Sequence, residues 1–144
     1  MRVLVIHGAN LNLLGERDPQ LYGRMTLAEV DADLRATGGA LGIDVNCVQH
    51  NSEGAIIESL HAARNEYVGV ILNPGAYAHY SYAIADAIAS INIPVIEVHL
   101  SNIAAREQHR RTSVTASACA GSISGFLAGS YRLALHALRE MLEK

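Results

Sequence analysis

Lysine is all but missing from this sequence, with Lys144 the only one. A mechanism that needs a buried amine, whether a Schiff base or the lysine of a phosphate loop, therefore has no candidate residue. Tryptophan is absent, and no run of lysines or arginines stands anywhere in the chain. With a formal net charge of −3, no basic footprint is left, and no nucleic-acid partner is expected. Cysteine is scarce too: Cys47 and Cys119 lie far apart, which predicts two buried, reduced thiols in a cytoplasmic protein rather than a disulfide or a metal site. The apolar run over residues 3–6 is too short for a secretory signal and leads straight into structure. Residues 112–131 carry no charge, but their serines, threonines and glycines make them too polar for a membrane span. No internal repeat or low-complexity tract is visible.

What is present reads as one α/β domain. The chain has 144 residues, half of them apolar, enough for a single domain over 1–144 with a full core. Apolar runs at 3–6, 43–48, 68–72 and 95–98 read as buried strands, and residues 113–117 as a short fifth. Between them lie helical patterns. Thr26-Leu27-Ala28-Glu29 is a capping box, followed by a face of Leu27, Val30, Leu34 and Leu41, with Gly38-Gly39 weakening its end. Ser52 caps a second helix, with Ile56, Ile57, Leu60 and Ala63 inside. A third presents Ile84, Ala87, Ile88 and Ile91, with Asp86 on another side. Residues 102–111 are helical in composition, and a last helix is expected from about 120 to 142, with Gly121, Gly125 and Gly129 on one face. Five alternations of strand and helix specify a parallel sheet covered on both faces, a flavodoxin-like doubly wound sandwich. Strand order 2-1-3-4-5 is adopted by analogy with that fold.

In such a sheet, ligands sit beyond the carboxyl ends of the strands. Three connections meet there. The first, residues 9–24, is long for an α/β unit and reads as a lid carrying Asn10, Asn12, Arg17 and Tyr22. The second is the turn Asn73-Pro74-Gly75 with His79. The third follows the strand Val95-Ile96-Glu97-Val98-His99, which stops on a histidine and hands over to Ser101 and Asn102, both good helix caps. Each feature alone is commonly structural; their convergence on one rim points to a site.

The runs His7-Gly8-Ala9-Asn10-Leu11-Asn12-Leu13-Leu14-Gly15-Glu16-Arg17-Asp18-Pro19 with Tyr22-Gly23, Asn73-Pro74-Gly75-Ala76-Tyr77 with His79 and Ser81, and Glu97-Val98-His99-Leu100-Ser101-Asn102 with Arg106-Glu107 and Arg110 together resemble the type II 3-dehydroquinate dehydratases. The resemblance runs in order over nearly the whole chain. It departs at three positions: Ala9 stands where proline is usual, Asp18 where glutamate is, and His109 where an aromatic is.

The resemblance implies loss of water from 3-dehydroquinate to give 3-dehydroshikimate by anti elimination through an enolate, with no cofactor, metal or Schiff base. The missing lysine agrees, since the unrelated type I enzymes need one. Carried over by position, Tyr22 is the base with Arg17 beside it, His99 the acid, and Asn10 a stabiliser of the enolate. Asn73, His79 and Arg110 bind substrate hydroxyls, Leu100 and Ser101 hold the carboxylate, and Glu97 orients His99. Asp86 reaches the site of a neighbouring subunit, in a homododecamer of four trimers. Use in making shikimate and use in degrading quinate both fit the same step.

Elementary electrostatics makes these roles reasonable. Ionising an ordinary tyrosine near pH 7 costs roughly 4 kcal/mol, and one guanidinium about 4 Å away offsets on the order of 4 kcal/mol at an effective dielectric near 20. A departing hydroxide needs a proton donor, which histidine can be near neutral pH. A carboxylate suits the helix start that Ser101 is expected to mark. Two rival readings of the same architecture fail. A flavin carrier needs ring-sandwiching aromatics and a Ser/Thr-rich phosphate loop after the first strand. A phosphorylation receiver needs an acidic cluster and a lysine at the strand ends.

Overall fold

The computed structural model describes residues 1–144. Its centre is a five-stranded parallel sheet of β1 (Arg2–His7), β2 (Asp44–Gln49), β3 (Gly69–Asn73), β4 (Val95–His99) and β5 (Gly121–Ser124), in the order β2-β1-β3-β4-β5. The central strands β1, β3 and β4 are buried because period-two alternation sends successive residues to opposite faces, and both faces are covered, whereas the edge strands β2 and β5 are mostly half-buried or exposed. Val3 and Val5 join Ile71, Ile96 and Val98 under the helices α2 (Leu27–Ala40) and α5 (Gly129–Leu142). Leu4 and Ile6 join Val70 and Leu72 under α3 (Glu53–Glu66) and α4 (Tyr82–Ala89). The remaining helix, α1 (Pro19–Tyr22), is a single turn inside the long connection after β1.

Local signals explain most boundaries. Thr26 and Glu29 form the complete reciprocal capping box at the start of α2, and Ser52 and Ser81 cap α3 and α4 through their hydroxyls. Gly38 does not end α2, which runs on to Ala40. A side chain at Gly38 would stand 2.4 Å from Val45 Cγ2, so glycine there lets the helix lie against β2.

The segment between β4 and α5 differs from expectation. Residues 102–111 form only two short 3-10 turns, Ile103–Ala105 and Gln108–Arg110. Ile103 is the one large apolar residue there, and a helix without an apolar face to bury gains no tertiary support. Residues 113–117 are not a strand but a loop wrapped around Glu97, and the fifth strand lies later, at Gly121–Ser124. The last helix starts at Gly129 rather than near 120. The four-residue glycine spacing is therefore not a helical face. Gly121 sits in β5 and Gly125 takes φ +99°, a left-handed turn that no helix contains. No helix is long and apolar enough to cross a membrane. Cys47 and Cys119 are both free and only half-buried, and burial, first among the causes, pushes each thiol up to about 12.

Candidate active site

The carboxyl ends of β1, β3 and β4, neighbours in the sheet, open onto a cleft of about 110 Å³. The chain leaving β1 is drawn hard against the turn after β3. Gly8 N–H donates to the Asn73 carbonyl at 2.7 Å, and a side chain at Gly8 would collide with that oxygen at 2.6 Å. The connection then continues as a 3-10 turn, Leu11–Leu13, anchored by buried Leu11 and Leu14, and ends in α1. Asp18 caps α1 by accepting from Gln20 N–H, with Pro19 at the first helical position. The shorter carboxylate at this departure from the family pattern thus fixes the turn that carries Tyr22.

Arg17, just before that cap, donates from Nη2 to the Tyr22 hydroxyl at 3.1 Å, and its guanidinium carbon lies 4.3 Å from the ring centre. A second arginine faces the same ring. Arg106 lies 5.2 Å from its centre, donates to Ser101 Oγ at 3.2 Å, and keeps a buried Nε without a hydrogen-bond partner. The nearest anion to that nitrogen is Glu107 Oε1, an ion pair at 3.7 Å that is too long for a hydrogen bond, so the N–H can still donate to an anion at the cleft wall. Sequence reasoning missed Arg106 as a site residue. Its only signal was its place in the Arg106-Glu107 pair, because an arginine in a polar stretch normally faces solvent. With no α-helix beginning at Ser101, any anion held here meets Ser101 and Arg106 rather than a helix end.

From β4 comes His99, nearly buried, its Nε2 3.0 Å from Glu97 Oε2. Glu97 is fully buried and also accepts from Ser113 Oγ at 2.6 Å and from the Thr115 hydroxyl. Burial works to raise the Glu97 carboxyl, but hydrogen bonds from His99, Ser113 and Thr115 and the charge of His99 overcome it and hold the group below its ordinary 4.5. The acceptor on Nε2 makes that nitrogen the donor and leaves Nδ1 as the ring nitrogen without a protein partner.

A pH dependence follows. With its pKa depressed by folding, Glu97 contributes stability that is complete above pH 4.5 and is lost as pH falls through the lower native value. Melting temperatures measured between pH 7 and pH 3 should fall on the acid side. Glu97→Gln should flatten that fall while costing about 1–3 kcal/mol at neutral pH. An unchanged acid slope would show that Glu97 is not the ionised partner.

His79 stacks on His99, ring centres 6.2 Å apart at 19°, and donates from Nδ1 to the Thr112 carbonyl at 2.9 Å. Burial, aided by the charges of His99, Arg110 and His109 and opposed by the Thr112 bond, lowers its pKa below the usual imidazole range. His109 packs edge-on against His79 at 6.3 Å, keeping a ring where the family pattern has an aromatic.

Of the residues singled out from sequence, Asn10, Arg17, Tyr22, Asn73, His79, His99, Leu100, Ser101 and Arg110 all line this one cleft. Glu97 sits behind it, against His99. Asp86 is exposed on α4 and does not line the cleft of its own chain. Asn12 is exposed and outside the lining as well. The arrangement joins a phenol beside two guanidinium groups to an imidazole backed by a carboxylate, so one cleft holds groups for both removing and delivering a proton.

The family model described as dehydroquinase class II matches residues 1–139. The 3-dehydroquinate dehydratases of Bacillus cereus (strain AH820) and Bacillus anthracis (strain A0248) are each 55% identical over 143 residues, covering 99% of this chain and 98% of theirs. The crystal structure of type II dehydroquinase from Butyrivibrio crossotus DSM 2876 superposes with a TM-score of 0.94 at 43% identity, covering 96% of this chain and 97% of that one. A 3-dehydroquinate dehydratase-like protein from Bifidobacterium longum gives 0.77 at 30% identity, covering 100% and 99%. The chain belongs to the class II dehydroquinase family, whose members are hydro-lyases.

Proposed function

We propose that this chain converts 3-dehydroquinate to 3-dehydroshikimate by anti elimination of water through an enolate, with Tyr22 as base and His99 as acid. The observation that carries the reading is the meeting of two prepared pairs, Arg17 with Tyr22 and Glu97 with His99, on one cleft. The phenolate of Tyr22, held by Arg17 and faced by Arg106, takes a proton from the carbon beside the ketone. The C–H electron pair moves into the carbonyl, giving an enolate whose oxygen Asn10 helps to stabilise. The enolate then reforms the ketone and expels the hydroxyl one carbon further on, which leaves as water with a proton from His99 Nδ1. Tyr22 ends protonated and His99 deprotonated, and exchange with solvent resets both.

Asn73, His79 and Arg110 bind the substrate's hydroxyls. Leu100 and Ser101 hold its carboxylate, and the Nε–H of Arg106, which has no hydrogen-bond partner, adds a charged donor. The connection over residues 9–24 acts as a lid: it carries both Arg17 and Tyr22, and closing it removes water that would screen their interaction. Asp86 serves the cleft of a neighbouring subunit in an assembly of twelve chains, a reading supported by its exposed position outside its own cleft. A sizing measurement checks that number, and a monomer of full activity would rule out a shared site.

Adding 3-dehydroquinate to the purified chain with a chelator present should produce the ultraviolet absorbance of the conjugated enone. A silent absorbance trace with folded protein would reject the assignment, and loss of activity on chelation would reject the metal-free mechanism.

A further inference from the structure

A hydrogen-bonded chain runs inward from the cleft through residues that the mechanism does not use. The parallel register sets His7 of β1 beside Asn73 of β3, so both side chains turn to the same face, where α5 places Tyr131. His7, Asn73 and Tyr131 are all buried, the last completely. The direction of each bond can be deduced from the outside in. The backbone N–H of Gly75 can only donate, so the Asn73 atom 3.1 Å from it is the oxygen, Oδ1. Nδ2 of Asn73 therefore faces Tyr131 and donates to its oxygen at 3.1 Å. Burial pushes the Tyr131 phenol well above its ordinary range, so the hydroxyl keeps its hydrogen. Its nearest acceptor is His7 Nδ1, at 2.9 Å. That nitrogen must be bare, and the ring's proton sits on Nε2, which donates to Asp31 Oδ1 at 2.7 Å.

Asp31 closes the chain as an anion. Burial tends to raise its carboxyl, but the hydrogen bond from His7 holds it low. A ring nitrogen of His7, a carboxylate oxygen of Asp31 and Cys47 Sγ lie within 4.8 Å of one another. A cation there would have to break the His7–Asp31 bond, so the trio is read as the end of the chain. Every donor points one way, from Gly75 at the rim and Asn73 at the cleft wall to Asp31. Were His7 to donate from Nδ1 instead, the buried Tyr131 hydrogen would have no acceptor, at a cost typical of an orphaned polar group.

We propose that Asp31, His7 and Tyr131 are positioning residues that fix the direction of the Asn73 side-chain amide and so decide which donor and acceptor it offers to the substrate. Two of the four hydrogen-bonding positions of Asn73 are used by Gly75 and Tyr131. One N–H and one oxygen lone pair remain, and the network forbids the flipped amide that would exchange them. The proposal rests on the reading that Asn73 touches 3-dehydroquinate.

The test compares full-length Tyr131→Phe, His7→Leu and His7→Gln with the unchanged chain, by steady-state kinetics on 3-dehydroquinate, melting curves, and NMR exchange of the Asn73 side-chain amide protons. Tyr131→Phe and His7→Leu should raise KM about tenfold, the effect of one misaligned hydrogen bond, with kcat within about threefold. Their Asn73 amide protons should exchange with water faster. Glutamine offers an acceptor and a donor as the imidazole does, so His7→Gln should keep near-native KM and slow exchange. A merely structural role would make His7→Gln and His7→Leu alike in KM while both stay folded, and that result, or unchanged KM and unchanged exchange in His7→Leu, overturns the proposal. Should the unchanged chain fail to turn over 3-dehydroquinate, the functional reading falls, while the amide exchange still judges the relay. Should Tyr131→Phe not fold, the two His7 variants decide.

Discussion

Replacing Tyr22 by phenylalanine should lower kcat about a thousandfold while KM stays within about threefold, because the change removes a single oxygen. The ring is half-buried against the core layer under α2 and α5 and lies under the Arg17 and Arg106 guanidinium groups at 4.3 and 5.2 Å. Phenylalanine preserves that packing and both cation–ring contacts, so the connection should still fold over the substrate. What disappears is the atom that Arg17 Nη2 reaches at 3.1 Å and that, in the proposed mechanism, receives the proton. Arg17→Gln should lose about a hundredfold in kcat, as expected for removing one charged donor from a developing or resident anion. A Tyr22→Phe variant with kcat within tenfold of the unchanged chain would mean that another group is the base.

His99→Ala should be nearly inactive, with kcat reduced about a thousandfold, because an expelled hydroxide without a proton donor is a poor leaving group. Alanine also strips the buried Glu97 carboxylate of one of three hydrogen-bond donors, so some of any loss could come from destabilisation of about 1–3 kcal/mol. His99→Gln separates the two effects. Its side-chain amide can still donate to Glu97, and so should restore the melting temperature, but it has no proton to give near neutral pH. The expected result is a stable, inactive protein. Turnover at the unchanged rate by folded His99→Gln would remove His99 from the role of acid.

Much of this fold is legible in the sequence because hydrophobic continuity and capping chemistry act locally. Val3 to Ile6 can only be a covered strand, and Thr26 with Glu29 satisfies its own backbone donors wherever the helix packs. The stretch from 102 to 128 is not legible in the same way. Ser113 and Thr115 spend their hydroxyls on Glu97, a partner 16 and 18 residues away, and that tertiary demand holds the loop where β propensity suggested a strand. The glycines at 121, 125 and 129 share a four-residue spacing, but the left-handed turn at Gly125 breaks any helix between them.

The site divides along the same line. Tyr22, His99 and Asn73 stand at strand ends or in conspicuous loops, where topology alone brings them to one rim. Arg106 lies between the two short 3-10 turns, and only the tertiary approach of that loop to α1 sets it against Tyr22. Tyr131 lies 124 residues from His7. In the sequence it reads as one more core aromatic, and nothing short of the assembled sheet and α5 reveals the chain that the two residues form.

In the proposed mechanism Tyr22, from the connection after β1, removes the proton and His99, at the end of β4, delivers one to the departing hydroxyl within one cleft. The most direct measurement uses 3-dehydroquinate carrying deuterium at one or the other of the two hydrogens beside the ketone, on the carbon next to the departing hydroxyl, and reads the label in the product by mass spectrometry. Loss of deuterium only from the position on the ring face opposite the hydroxyl, with full retention at the other, is the expected result. Loss from the same face as the hydroxyl, or from both positions equally, would contradict it.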